Sequence, residues 1–186
     1  MPPLLDVTVH HGAAADPGES SAWALCRAVR GSRPVLVALH PVHGDEHLWW
    51  PRAVGGARLL VAAAGGPCPC RVEVPPPVVH SGAMAHHRTG HGLGMRAGLL
   101  RAAWWSATGE LPATWEPGEW WRPFGLRGKR EAKGVPKGWH RVGEAGLYVD
   151  GAANALTAFP VTRRVDAAEA VLQAAALVAL AAGGGG

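Results

Sequence analysis

Three acidic segments stand out by residue type and spacing. Asp16-Pro17-Gly18 follows a short apolar run, Glu73 lies between Val72 and Val74, and Asp166-Ala-Ala-Glu169 opens an alanine-rich run that also carries Gln173. Each has an ordinary structural explanation. Pro and Gly preset turn dihedrals, and Asp caps them. A charge between two valines is the solvent side of a half-buried strand. Asp with Glu three residues later is a capping box, which would make Asp166 the N-cap of the last helix. The order of the segments is more specific: an acid ending a first strand, an acid on a later strand, and an acid pair on one helical face that Gln173 extends. Hard divalent cations such as Mg²⁺ are bound by carboxylate oxygens. Two of them roughly 4 Å apart stabilise the attacking and leaving oxygens of an in-line phosphodiester displacement. Carboxylates gathered without a cation repel one another, so a purely structural cluster would be costly.

The elements that must position these acids follow from periodicity. Val7–His11 with the small run Gly12–Ala15, then Ser21–Val29 and Pro34–His40, read as three strands of an antiparallel meander. Arg52–Ala64 reads as a helix weakened by Gly55 and Gly56. Arg71–Val74 reads as a strand that Pro75-Pro-Pro77 stops. Gly90–Ala107 places Leu93, Ala97, Leu100 and Trp104 on one helical face, with Arg96 and Arg101 elsewhere on its surface. Leu111–His140 has weak periodicity and reads as long loops, and Asp166–Ala182 is the clearest helix. The pattern predicts a mixed α/β domain with an antiparallel beginning and a later parallel strand.

Composition narrows the class. The chain has 186 residues, 18 Lys+Arg against 14 Asp+Glu, 48% apolar residues and 17% charged ones, which favours a folded chain over a self-repelling disordered one. One domain over 1–182 is expected, with 183–186 as a glycine tail. MPPLLDVTVHHG has neither a basic nor a long apolar leader region, so no secretory signal is expected. The apolar run Ala170–Ala182 contains Gln173 and is shorter than the roughly 20 residues of a membrane span, so a buried helix and no membrane partner are expected. Three Cys, two of them in Cys68-Pro-Cys70, make no disulfide framework and point to a reducing, cytoplasmic setting.

In this order the segments resemble the RuvC-like Holliday junction resolvases of the ribonuclease H-like nuclease superfamily. The matching residues are ADPGESSAWAL (Ala15–Leu25), RVEVPPP (Arg71–Pro77), GLGMRAGLLRAAW (Gly92–Trp104) and RVDAAEAVLQAAAL (Arg164–Leu177). The resemblance implies a ribonuclease H-like mixed sheet, antiparallel in its first three strands and parallel later, flanked by helices. It implies Asp16, Glu73, Asp166 and Glu169 as catalytic, metal-binding residues, with Mg²⁺ as cofactor and Mn²⁺ as a substitute. It further implies a homodimer that nicks two symmetry-related strands of a four-way junction. The chain departs from the family pattern at Glu169, where Asp is more usual, and at Gly12–Ala15, where a β-branched strand is expected.

In such a nuclease Arg127, Lys129, Arg130, Lys133, Lys137 and Arg141 would contact DNA phosphates, with Arg96 and Arg101 as second candidates. His80, His86, His87 and His91 match no closed zinc pattern and read as a loop beside the active site. Six of the nine Trp fall in pairs at 49–50, 104–105 and 120–121. Trp104-Trp105 reads as packing; Trp120-Trp121, beside the basic stretch, leaves base stacking open. Two other functions fit the same residues: a non-catalytic DNA-binding protein, and a related nuclease acting on forks or RNA–DNA hybrids.

Overall fold

The computed structural model describes residues 8–18, 20–74, 84–116, 119–125, 135 and 138–183, with only the backbone of 46 and 84–91. Strands β1 (Val9–Asp16), β2 (Ala22–Val29) and β3 (Val35–Pro41) form the expected antiparallel meander, in register from Val9 opposite Val29 to Asp16 opposite Ala22. Strand β4 (Cys70–Glu73) lies parallel to β1, pairing Ala13 with Cys70 and Ala15 with Val72. A fifth strand, β5 (Ala113–Trp115), continues parallel to β4, so the sheet order is β3-β2-β1-β4-β5. Helices α1 (Glu46–Ala64) and α2 (Met84–Thr108) cover one face; α3 (His140–Tyr148), α4 (Ala152–Thr157) and α5 (Arg164–Gly183) cover the other.

Strand alternation decides which side chains meet which layer. Ala13, Ala15, Trp23, Leu25 and Val72 pack under α1 and α2, whereas Ala14, Ala24 and Cys26 pack under α5. By period two, Asp16 follows Ala14 and Glu73 opposes Val72, so both acids turn toward α5. Because β1 and β4 are parallel, the two acids also end neighbouring strands at the same sheet edge. The helix they meet carries Asp166, Glu169 and Gln173 at i, i+3 and i+7, which is one helical stripe.

Close packing explains the small residues of β1. A Cβ on Gly12 would sit 2.9 Å from Val178 Cγ1, so the alanine-rich faces of β1 and α5 approach nearer than β-branched strands allow. Helix α5 is long and apolar enough to cross a membrane by length and composition, with a mean hydropathy of 1.6 in an 18-residue window within Val161–Gly183. Here most of its surface is covered by the sheet and by α3.

Several local expectations are corrected. Helix α1 starts at Glu46 rather than Arg52: the Asp45 carbonyl accepts the N–H groups of Leu48 and Trp49 to open it, Pro51 lies inside it, and Gly65, at positive φ, closes the other end. Gly56 is required by packing: a Cβ there would lie 2.6 Å from both His40 Cδ2 and Trp23 Cδ1. Gly56→Ala is therefore expected to destabilise by about 1–3 kcal/mol, despite the better helix propensity of Ala. Thermal melts check this, and an unchanged or higher midpoint would contradict it. Among the described residues of the stretch read as loops, Leu111–His140, are strand β5 and a 3-10 turn at Arg122–Phe124. Part of the His80–His91 run is the first turns of α2, not a loop, while His80 lies outside the described residues.

Candidate active site

Asp16 ends β1 and is 4% exposed. Its Oδ2 accepts the backbone N–H of Gly18 at 3.0 Å, so the turn reading and a buried carboxylate are both true of this residue. Asp166 is not an N-cap. A 3-10 turn at Val161–Arg163 leads directly into α5, which places Asp166 inside the first helical turn. Its Oδ2 accepts the N–H of Ser20 at 2.9 Å, from a residue 146 positions away. The carboxylate is thus turned toward the β1–β2 connection rather than back onto its own helix.

Gly18 is where these two acids converge. A Cβ built there would lie 2.7 Å from Asp166 Cγ and Oδ2, and 2.8 Å from Asp16 Oδ2. Glu73 joins from β4. Its Oε2 accepts the indole N–H of Trp120 at 2.6 Å and the Gln173 amide at 3.0 Å; the same Gln173 Nε2 stands 3.4 Å from Asp16 Oδ1. Glu169, one turn beyond Asp166, forms an ion pair with Arg141 of α3. The Arg141 guanidinium lies 5.2 Å from the ring centre of Trp121 and 6.0 Å from that of Trp120. The Trp120-Trp121 pair, edge to face at 5.7 Å, therefore braces two of the four acids.

Electrostatics match the crowding. Burial, then the negative charges of Glu73 and Asp166, push the Asp16 carboxyl well above its ordinary range. Burial also raises Glu73, against the Trp120 hydrogen bond and Arg141, which pull it down. Among the described residues no three His, Cys, Asp or Glu side chains already stand in metal-ligating geometry. What the site offers a cation is hard oxygen donors, two of them on carboxylates whose ionised forms the surroundings disfavour. A divalent ion would reverse that penalty, so the donor set fits one. Replacing the indole donor tests the Glu73 environment directly: Trp120→Phe is expected to move the Glu73 carboxyl still higher in an NMR titration. An unmoved or lowered Glu73 would show that the hydrogen bond does not form.

The basic residues divide. Arg141 reaches the acids, whereas Arg96 and Arg101 lie on α2, across the sheet. Arg96 lines a groove of about 300 Å³ with Gly44, Trp49, Trp50, Met95 and Leu99. The Arg101 Nε is buried without a hydrogen-bond partner among the described residues. Arg127, Lys129, Arg130, Lys133 and Lys137 lie outside the described residues. Of the other Trp pairs, Trp104 packs against Trp23 with ring centres 5.6 Å apart, while Trp105 is exposed. All three cysteines are free thiols. Sequence reading missed Trp120 as a partner of Glu73 and Arg141 as a partner of Glu169; the only local signal was an indole donor placed near a basic stretch.

A mixed five-stranded sheet of this order, with three antiparallel strands, two parallel ones and helices on both faces, defines the ribonuclease H-like fold. The chain is similar in structure to RuvC of Thermus thermophilus in complex with a Holliday junction substrate, with a TM-score of 0.60 and 17% identity over 93% of this chain and 95% of that one. It is similar also to a second structure of T. thermophilus RuvC, with a TM-score of 0.58 and 16% identity over 92% of this chain and 95% of the other. The fold is therefore RuvC-like. No family model matches the sequence, and no curated protein matches it significantly.

Proposed function

We propose that this chain is a divalent-metal-dependent endonuclease that resolves four-way DNA junctions by paired symmetric nicks. The observation that carries the reading is the convergence of Asp16 and Asp166 on Gly18, with Glu73 tied to Asp16 through Gln173. The RuvC-like fold, seen in T. thermophilus RuvC bound to a Holliday junction, supports the choice of substrate.

Asp16, Glu73 and Asp166 would hold the metal, with Glu169 completing the set once Arg141 turns away from it. Magnesium, or manganese in its place, supplies electrophilic stabilisation of the attacking and leaving oxygens of the phosphodiester. The chain's own residues do the positioning. The N–H groups of Gly18 and Ser20 fix one oxygen each of Asp16 and Asp166. Trp120 and Gln173 fix Glu73. Arg141, stacked over Trp121, places a cation beside the acids where an incoming phosphate needs one. The basic stretch from Arg127 to Lys137 would follow the DNA backbone, with Arg96 and Arg101 as contacts on the other layer.

Paired nicks need two sites, so a homodimer is part of the proposal. The groove lined by Trp50, Met95 and Leu99, all exposed, is what a second copy would cover. One nuclease domain over 1–182 in the cytoplasm completes the reading. One observation favours the non-catalytic alternative: the Arg141–Glu169 ion pair occupies the fourth acid. The test is a panel of junction, fork, duplex and RNA–DNA hybrid at one salt concentration, with Mg²⁺ and then Mn²⁺. Preferential junction cutting supports resolution. Preference for forks or hybrids would make the chain a related nuclease, and binding without cutting under either metal would make it a binder.

A further inference from the structure

A buried amide in the middle of an alanine-rich core helix requires a reason. Gln173 is fully buried between Leu172 and Ala174 on α5, where Leu or Met would fill the space with similar helix propensity and no polar atom to satisfy. Its Oε1 has no hydrogen-bond partner among the described residues, a costly state for a buried acceptor. Its Nε2, by contrast, faces two carboxylates, 3.0 Å from Glu73 Oε2 and 3.4 Å from Asp16 Oδ1. An amide nitrogen carries two hydrogens, one for each acid. The reverse orientation would set Oε1 against two carboxylate oxygens, so the acids select the orientation that leaves Oε1 unpaired.

Atom by atom, the donors leave a defined remainder. Glu73 Oε2 takes both Trp120 and Gln173, so both donors fall on one of its two oxygens. Asp16 Oδ2 takes Gly18, and Oδ1 takes Gln173 at longer range. A Lys in this position would supply donors but also a charge that competes with a cation. A neutral amide holds the acids together and leaves their field negative.

We infer that Gln173 is a positioning residue, a neutral strap across Asp16 and Glu73 that sets which carboxylate oxygens are presented to a divalent cation. This rests on the reading of those acids as metal-holding. The strap itself is a property of the metal-free chain and can be tested apart from that reading.

Gln173→Met keeps length and volume and removes the donors. Manganese binding followed by calorimetry is expected to weaken about tenfold in this variant, with unchanged circular dichroism. Binding within twofold of wild type would overturn the inference. The second arm needs no metal. Gln173→Met should lower the metal-free melting temperature by about 3 °C in the wild-type background. The drop should shrink to half or less when Asp16→Asn and Glu73→Gln are also present. An equal drop in both backgrounds would reduce Gln173 to ordinary packing and overturn the strap. If wild type binds no manganese, the metal-holding reading fails, and the metal-free arm alone decides the role of Gln173.

Discussion

Asp16→Asn is expected to reduce junction cleavage about a thousandfold or more, a loss of roughly 4 kcal/mol in transition-state stabilisation, while making the metal-free protein more stable. Both effects have one cause. Asp16 is buried beside Glu73 and Asp166, and its carboxyl is pushed up by burial first and by those charges next. The folded state therefore binds more protons than the unfolded chain once pH exceeds the ordinary carboxylate range. Stability from this group is fully present below that range and falls as pH rises through the folded value. Burial raises Glu73 in the same direction. Asn removes one of the crowded charges and keeps an oxygen to accept the Gly18 N–H. At pH 8 without metal the variant should melt higher, by about 2–4 °C for each kcal/mol relieved; at pH 4 the gain should vanish. Saturating Mg²⁺ should stabilise wild type more than the variant. A variant that melts lower than wild type at pH 8 would contradict the electrostatic account, whatever its activity.

Gly18→Ala is the second large effect, and it separates activity from stability. The new Cβ would lie 2.7 Å from Asp166 Oδ2 and 2.8 Å from Asp16 Oδ2, closer than real Cβ contacts allow. Something must move, and what stands there is the pair of carboxylates rather than core backbone. Gly18 is not among the glycines at positive φ, so Ala brings no intrinsic backbone strain there. The spreading of the two acids should cut turnover about a hundredfold, because ligands and catalytic groups must hold their geometry to within roughly 0.5 Å. Stability should change by no more than about 0.5 kcal/mol, since the smaller backbone entropy of unfolded Ala offsets local adjustment. Junction affinity should be unchanged. Cleavage kinetics beside thermal melts check the pair of statements, and full activity in Gly18→Ala would mean that Asp16 and Asp166 do not act together.

Much of this arrangement was legible in the residues because it follows from two short periods. Alternation along β1 and β4 turns Asp16 and Glu73 to one face, and the 3.6-residue period of α5 aligns Asp166, Glu169 and Gln173 beneath them. What was not legible depends on contacts far apart in sequence. Trp120 meets Glu73 across 47 residues, and nothing local to either marks the pair. The capping-box pattern at Asp166–Glu169 is a sound local reading. It is overridden because a 3-10 turn starts the helix earlier and Ser20 offers Asp166 a better donor. Strand β5 is three residues long, too short for any periodic signal, and exists because the edge of β4 is there to pair with. Gly12–Ala15 departs from strand propensity for a tertiary reason, the close approach of α5.

The central claim is that these acids cut branched DNA in pairs. The most direct measurement maps nicks on a four-way junction labelled in turn on each strand, with wild type and Asp16→Asn compared at one salt concentration in Mg²⁺. The account predicts nicks at symmetry-related positions of two opposite strands with wild type, and binding without nicks with the variant. Equal cutting by both proteins, or no cutting by wild type in Mg²⁺ or Mn²⁺, would contradict it.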